Sequence, residues 1–217
     1  MGCRYNGEDV ASPPALILAS SSPRRNALMR VVGIPFRVVP SRVEEVPAPG
    51  EAPRRFVRRA AREKGEEVAA RNPDSFVLAA DTIVVVSGRI LGKPKDPEDG
   101  ARMLRLLAGR EHRVHTAVCL LRFRDGYWDE ACETTRVRFR ELSRREIAAY
   151  LRTGEAADKA GAYAAQGTGN LLIDRIVGSY TNVVGLPMTR VAGMLLRANL
   201  IAVSREGPGW YQYTERG

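Results

Sequence analysis

The stretch "ALILASSSPRRNALMRVVG", residues 15–33, decides how the chain begins to fold. Leu16-Ile17-Leu18-Ala19 reads as a short buried strand, the three serines as a turn, and Pro23 as the opening of a helix with an apolar stripe at Ala27, Leu28, Val31 and Val32. Ser22 then falls at the N-cap and Pro23 at the first helical position. That places Arg24 and Arg25 in the first turn, where the helix dipole is positive and each exposed cation costs roughly 0.3–1 kcal/mol. A strand end, a small-residue turn and a helix N-terminus together present free backbone N–H groups and hydroxyls, a seat for an anion. Two arginines are awkward on such a seat when it is empty and well matched to a bound phosphate chain. A Ser-capped helix with its arginines turned into solvent fits the same residues, and so does a Ser-Pro phosphosite.

Outward from this stretch the chain alternates strands and helices. "PFRVVPS" reads as a second short strand, "VEEVPAPGEAP" as a Pro-rich loop, and "PRRFVRRAAREKGEEVAARN" as a helix with Pro53 early. "SFVLAADTIVVVSGRIL" holds two β-rich runs, the second leading through Ser-Gly into Arg89-Ile90-Leu91. "DPEDGARMLRLLAG" is a helix capped by Asp96, with Pro97 at its first position and Gly109 after it. The long alternating segment around Asp125-Gly126 predicts a hairpin. Ser143 and Glu146 form a capping-box pattern at the start of "SRREIAAYLRTG", which ends at Gly154. "NLLIDRIVG" reads as a strand and "PMTRVAGMLLRANL" as a closing helix from Pro187. Helical crossovers mixed with a long hairpin predict an α/β fold, one mixed β-sheet flanked by helices. Residues 1–14 read as a loose leader, 15–203 as a single domain and 204–217 as a tail.

Composition narrows the partners. With 217 residues, 44% of them hydrophobic, the chain can bury a substantial core. No apolar run approaches the roughly 18 residues of a membrane helix, and the N-terminus lacks an apolar signal segment. Cys3, Cys119 and Cys132 offer neither a disulfide framework nor a metal-ligand spacing, which predicts a cytoplasmic protein. A net charge of +9 implies affinity for anions. The basic residues are spread along the chain and mixed with Glu63, Glu66 and Glu67, which weakens a nucleic-acid reading without removing it. Only four of the 34 basic residues are lysines: Lys64, Lys93, Lys95 and Lys159. A codon bias towards arginine accounts for that, yet under such a bias a site needing a compact ammonium is among the few to keep lysine.

Four further stretches carry candidate chemistry. Asp81, set between apolar runs, is costly to bury unpaired and reads as a strand-end, bulge or metal-site carboxylate. Glu44 and Glu45 in the loop after the second strand could supply a hard cation with oxygen, or simply be solvated. Lys93, between Gly92 and Pro94, has a defined backbone that suits a point charge aimed at phosphate, though an exposed turn lysine fits the same residues; Lys64 stands inside the long helix. "GAYAAQGTG", residues 161–169, is small enough for a base to approach closely, with Gln166 able to donate and accept; a tight connection without ligand fits it too. His112 and His115 have no third ligand nearby for zinc, and no Gly-x-Ser-x-Gly elbow, Walker A loop or dinucleotide glycine pattern is present.

Taken in order, these blocks resemble the Maf family of nucleoside triphosphate pyrophosphatases, also called septum formation inhibitor proteins. The resemblance runs from about Leu16 to Leu196 through "LILASSSPRRNALMRVVGIPFRVVPS", the Glu-Glu after it, "REKG", "AADTIVVV", "LGKPKDPEDGARMLRLLAGREHRVHTAV", "DKAGAYAAQG" and "GSYTNVVGLPM". It implies a Maf/ITPase-like fold with a central cleft. The implied reaction is hydrolysis of a nucleoside triphosphate to the monophosphate and pyrophosphate with a divalent cation, Mg²⁺ or Mn²⁺. The last two blocks are similar to the branch acting on dTTP and UTP rather than the one acting on 7-methyl-GTP. By resemblance Asp81 is the proton acceptor, and Arg24, Thr82 and Gln166 are substrate-choice positions. Ser20, Ser22, Arg25, Lys64 and Lys93 surround the triphosphate, and Glu45 with Asp81 holds the metal. The family also suggests a homodimer and a link to cell-division arrest. Two positions depart from its pattern: Arg42 stands where an acidic residue is usual, and Gly65 replaces the alanine after the motif lysine, a change expected to act only on the helix. The contrasting expectation is a basic regulator of division that binds nucleic acid.

Overall fold

The computed structural model describes residues 16–204 and 210–214. The expected leader and Cys3 lie outside the described residues.

The elements follow in chain order. β1 (Leu16–Leu18) leads through the serine turn into α1 (Pro23–Arg30), then β2 (Arg37–Val38) and, after the Pro-rich loop, α2 (Pro53–Ala70). β3 (Phe76–Val86) turns at Ser87-Gly88 into β4 (Arg89–Leu91), followed by α3 (Pro97–Leu107). Ser87 and Gly88 both have positive φ, the geometry that lets a two-residue turn follow the twist of its strands. The hairpin β5 (Glu111–Arg122) and β6 (Tyr127–Phe139) precedes α4 (Arg144–Arg152), which carries both bonds of the capping box. Two 3-10 turns, Ala160–Ala162 and Gly167–Leu172, lead to β7 (Ile173–Val177), α5 (Tyr180–Val184) and α6 (Met188–Arg197). A small hairpin of β8 (Ile201–Val203) and β9 (Tyr211–Tyr213) follows.

The main sheet runs β2-β1-β3-β5-β6-β7, with β4 also paired to β3. β1 is parallel to β2 and β3, and the remaining pairs are antiparallel, so the sheet is mixed as the element order predicts. β5 covers one edge of β3 from Val77 to Val85. The other edge is shared: β1 pairs with Phe76, Val77 and Leu78, and β4 pairs with Val84, Val85 and Val86. Ala79 to Ile83 therefore have no strand beside them on that edge, where the parallel neighbour has ended and the antiparallel one has not begun.

Alternation along β3 divides the core in the same place. Phe76, Leu78 and Ala80 pack with α1, α6 and the terminal hairpin, and Val84 and Val86 pack with α3, α4 and the 160–172 segment. On the opposite face, under α2, Val77 and Ala79 belong to one cluster and Ile83 and Val85 to another. Asp81 and Thr82 sit between the clusters of each face. A polar pair at mid-strand is tolerated because the backbone edge beside it is open.

Several expectations change. "SFVLAADTIVVV" is one eleven-residue strand, so Asp81 lies in its middle and not at an end or bulge. The α1 stripe is also shifted: Met29 and Val32 are buried and Leu28 half-buried, while Ala27 and Val31 face solvent. An eight-residue helix meets the core by its last turn and the chain just after it, so the buried set is too short to show a full period. Asn170 to Leu172 are 3-10 turn, leaving the strand to start at Ile173. α6 is not the closing element, since Tyr211–Tyr213, within the stretch read as a tail, pairs with Ile201–Val203 and packs on the first core cluster.

Candidate active site

The open edge of β3 forms the floor of a cleft of about 1160 Å³, lined by the serine turn and start of α1, the Glu44-Glu45 loop, the 92–95 segment and the 158–165 segment. Ligands of open α/β sheets gather where neighbouring strand ends diverge, and here that point is the gap between β1 and β4.

Asp81 and Lys64 meet at the centre of this floor. α2 crosses the odd-numbered face of β3, and Lys64 Nζ donates to Asp81 Oδ1 at 2.8 Å. Lys64 also pairs with Glu45, which reaches in from the Pro-rich loop. Asp81 is 2% exposed, and its second oxygen, Oδ2, is buried with no protein partner. Burial raises its pKa above the ordinary carboxylate range, against the pull of the Lys64 ammonium. Burial pushes Glu45 in the same direction, but there the Lys64 charge and hydrogen bond win and hold it below its usual value. Burial thus raises one carboxylate, while the ammonium that both share holds the other low.

α2 approaches the sheet closely at the neighbouring position. A Cβ built on Gly65 would stand 2.6 Å from Leu121 Cδ2 and 3.0 Å from Cys119 Sγ. Gly65 is therefore a packing residue between helix and sheet, beyond the helix effect expected of it.

On the other side of the gap Arg25 acts as a strut. Its Nε donates to Gly185 O at 2.8 Å, Nη1 to Ala80 O at 2.9 Å and Ser20 Oγ at 3.3 Å, and Nη2 to Thr82 Oγ1 at 3.0 Å. Arg25 thereby occupies the β3 carbonyl that β1 is too short to reach, and of its five N–H groups one on Nη2 remains for a ligand. Thr82 Oγ1 lies 3.0 Å from Thr116 Oγ1, whose hydroxyl donates to Asn182 O at 3.0 Å, tying the floor to α5. Ser22 caps α1 with a long 3.5 Å bond from Arg25 N, and Ser20 Oγ accepts from Ser22 N at 3.2 Å.

Arg24 faces the opposite situation. It lines the cleft with its Nε buried and without a partner. Burial depresses its pKa, partly offset by the Asp158 carboxylate across the cleft. A desolvated guanidinium donor without an acceptor is a group waiting for an anion or a carbonyl.

All four lysines of the chain line this cleft, Lys93 and Lys95 from the turn before α3 and Lys159 beside Asp158. Gln166 is brought next to the cleft but not into its lining: Ala164 and Ala165 line it and Gln166 is exposed beyond them. Asp99, Arg102 and Asp158 line it as well; they fall within the motif blocks, but the sequence assigns no role to any of them, where they read as ordinary charges on a helix and a loop. Arg42 is exposed and outside the lining. Among the described residues no group of three or more His, Cys, Asp or Glu stands ready for a metal. Of the five carboxylates that line the cleft, Glu45 and Asp81 are the two that flank Lys64. Among the described residues no helix is long and apolar enough to cross a membrane.

A mixed α/β sheet with a buried carboxylate at an open strand edge, faced by a desolvated arginine and four lysines, defines a class of protein built to receive an anionic ligand beside a carboxylate. Comparison with known proteins gives the family: residues 15–198 match the family model for Maf-like proteins, and the chain belongs to that family. It is 49% identical over 180 residues to a dTTP/UTP pyrophosphatase of Syntrophomonas wolfei, covering 83% of this chain and 95% of the relative. Relatives of the same name from Koribacter versatilis and Desulfotalea psychrophila are 48% identical over 186 residues and 45% identical over 188. These cover 86% and 87% of this chain and 95% and 96% of the relatives.

Proposed function

We propose that the protein is a nucleoside triphosphate pyrophosphatase that hydrolyses dTTP and UTP to the nucleoside monophosphate and pyrophosphate. The observation that carries this reading is Asp81: a buried carboxylate with one oxygen held by Lys64 and the other free, at the gap in the β3 edge. Water adds across the anhydride between the α and β phosphates. Asp81 Oδ2 takes its proton, while Lys64 keeps the carboxylate oriented and limits the rise in its pKa. Lys93, with Lys95 and Lys159 on the same rim, supplies charge for the leaving pyrophosphate, and Arg24 offers its unpaired Nε–H to the ligand. The hydroxyls of Ser20 and Ser22 and the start of α1 complete the phosphate side.

A divalent cation fits the donor set. Mg²⁺ is commonly held by one or two carboxylates plus substrate phosphates and keeps several waters; Glu45 is one such carboxylate, and Asp81 would add a second only while its orphaned Oδ2 carries no proton. Bound there, Mg²⁺ or Mn²⁺ would supply charge neutralisation at the anhydride. The pyrimidine preference follows the names of the relatives and the "AGAYAAQG" and "GSYTNVVGLPM" blocks, with Arg24, Thr82 and Gln166 as the substrate-choice positions. We place the activity in the cytoplasm, where its substrates are used.

The test is pyrophosphate release from dTTP, UTP, CTP, dATP, GTP and 7-methyl-GTP with Mg²⁺ or Mn²⁺. The expected result is turnover of dTTP and UTP, reduced about 10²–10⁴-fold by Asp81→Asn. Full activity in that variant would overturn the assignment of the base, and preference for 7-methyl-GTP would overturn the pyrimidine assignment.

A further inference from the structure

The segment 163–169, whose first three residues line the cleft, is held by three side chains of other segments. Tyr150, on α4, accepts the Ala164 N–H on its hydroxyl at 3.0 Å. Tyr180, on α5, donates its hydroxyl to Ala165 O at 3.3 Å. Glu155, just beyond α4, accepts Thr168 N–H on Oε1 at 3.0 Å and Gly169 N–H on Oε2 at 3.1 Å. These last two donors belong to the first turn of the 3-10 segment Gly167–Leu172, where backbone N–H groups have no partner within the helix.

The N-cap position of that segment is Gln166, and its side chain makes no capping bond. A side chain from elsewhere does the capping instead. Gln166 is consequently left with its side chain exposed and uncommitted to the cap, one residue beyond Ala165 of the cleft lining. The segment has little room to relax. Gly167 has a φ of +73°, and a Cβ there would stand 2.7 Å from Glu155 Oε1. A Cβ on Gly169 would stand 2.3 Å from Ala164 O and 2.7 Å from the Tyr150 hydroxyl. Tyr150, Ala164, Gly169 and Glu155 thus close into one unit, in which Tyr150 holds the chain before Gln166 and Glu155 binds the two consecutive N–H groups that follow Gly167.

We infer that Glu155 is a positioning residue for substrate choice, holding the 163–169 segment and the exposed side chain of Gln166 at the height where the base of the nucleotide is read. It touches neither the phosphates nor Asp81, so it acts on which nucleotide binds and not on the hydrolytic step. The inference rests on the pyrophosphatase reading above, and its test separates the two. Glu155→Gln replaces one carboxylate oxygen with an NH₂ group facing a backbone N–H and so breaks one of the paired bonds.

Steady-state pyrophosphate release by the full chain is compared for dTTP and dGTP in wild type, Glu155→Gln, Glu155→Asp and Tyr150→Phe. Expected for Glu155→Gln is a KM for dTTP raised about tenfold with kcat within about twofold, and a ratio of kcat/KM for dTTP over dGTP that falls by a similar factor. Tyr150→Phe, which removes the acceptor for Ala164 N–H, moves the ratio in the same direction, and Glu155→Asp recovers part of it. A merely structural role lowers both substrates equally and leaves the ratio unmoved, which would overturn the inference. So would a fall in kcat at unchanged KM. Absence of turnover in the wild type would instead sink the pyrophosphatase reading itself. If Glu155→Gln does not fold, an unchanged ratio in Tyr150→Phe decides against the positioning role.

Discussion

Arg24 and Arg25 are neighbours in the first turn of α1, yet their side chains have different tasks. Arg25 is half-buried and its N–H groups go to Gly185 O, Ala80 O, Ser20 Oγ and Thr82 Oγ1, while Arg24 holds a desolvated Nε without an acceptor. Removing Arg25 strands at least one buried carbonyl, so Arg25→Ala is expected to lower unfolding free energy by about 1–3 kcal/mol in urea titrations. Arg24→Ala is expected to leave the empty protein close to wild type and to weaken nucleotide binding. An Arg25→Ala protein as stable as wild type would contradict the strut. The two residues look alike in sequence because "PRR" fixes only their place on the helix. Which one meets the β3 edge depends on where Gly185 and Ala80 lie, about 160 and 55 residues away. Lys64 and Asp81 show the same limit. Each was recognisable as a candidate, but the shared ammonium that holds Glu45 low while burial raises Asp81 exists only once α2 crosses β3.

At the scale of elements, local signals were the most legible. Ser22, Asp96 and Ser143 cap the helices that follow them, because a cap is a bond between residues three apart and needs no tertiary partner. The α4 capping box gives a pH-dependent prediction. Ser143 and Arg140 hold the Glu146 carboxyl down to about 2 from an ordinary 4.5. Its folded pKa is depressed, so its contribution is present above pH 4.5 and is lost as pH falls towards 2. Thermal unfolding measured across that window is expected to fall less steeply for Glu146→Gln than for wild type. α2 offers a second test. Gly65→Ala gains up to about 1 kcal/mol of helix propensity but forces Leu121 and Cys119 aside, an overpacking cost of about 1–3 kcal/mol. Net destabilisation is expected, smaller when Cys119→Ala is present, as a double-mutant cycle would show. Helix identity could not reveal this contact, because the sheet residues that fill it come from β5.

For the molecule as a whole, the cleft unites segments from residues 19 to 185 and leaves the buried Arg24 Nε without an acceptor beside an open strand edge. Binding of a triphosphate is expected to supply that acceptor and to stabilise the fold by about 2.7 kcal/mol at a hundred times the dissociation constant. A thermal-shift titration with dTTP and Mg²⁺ is expected to show this rise, reduced in Arg24→Ala; no shift at saturating nucleotide would count against the site. By itself the sequence determined the mixed α/β class, the helix starts, the long hairpin and the family, since these follow from periodicity, capping residues and ordered motifs. It marked the lysines too, through their scarcity, and all four line the cleft. Only the tertiary structure decided that Asp81 lies within a continuous strand, that Arg25 braces that strand while Arg24 keeps an unpartnered Nε in the cleft, and that Glu155 binds the turn after Gln166. Each of these depends on the short β1 and β4 leaving one stretch of β3 edge uncovered, and on distant segments that close around the gap.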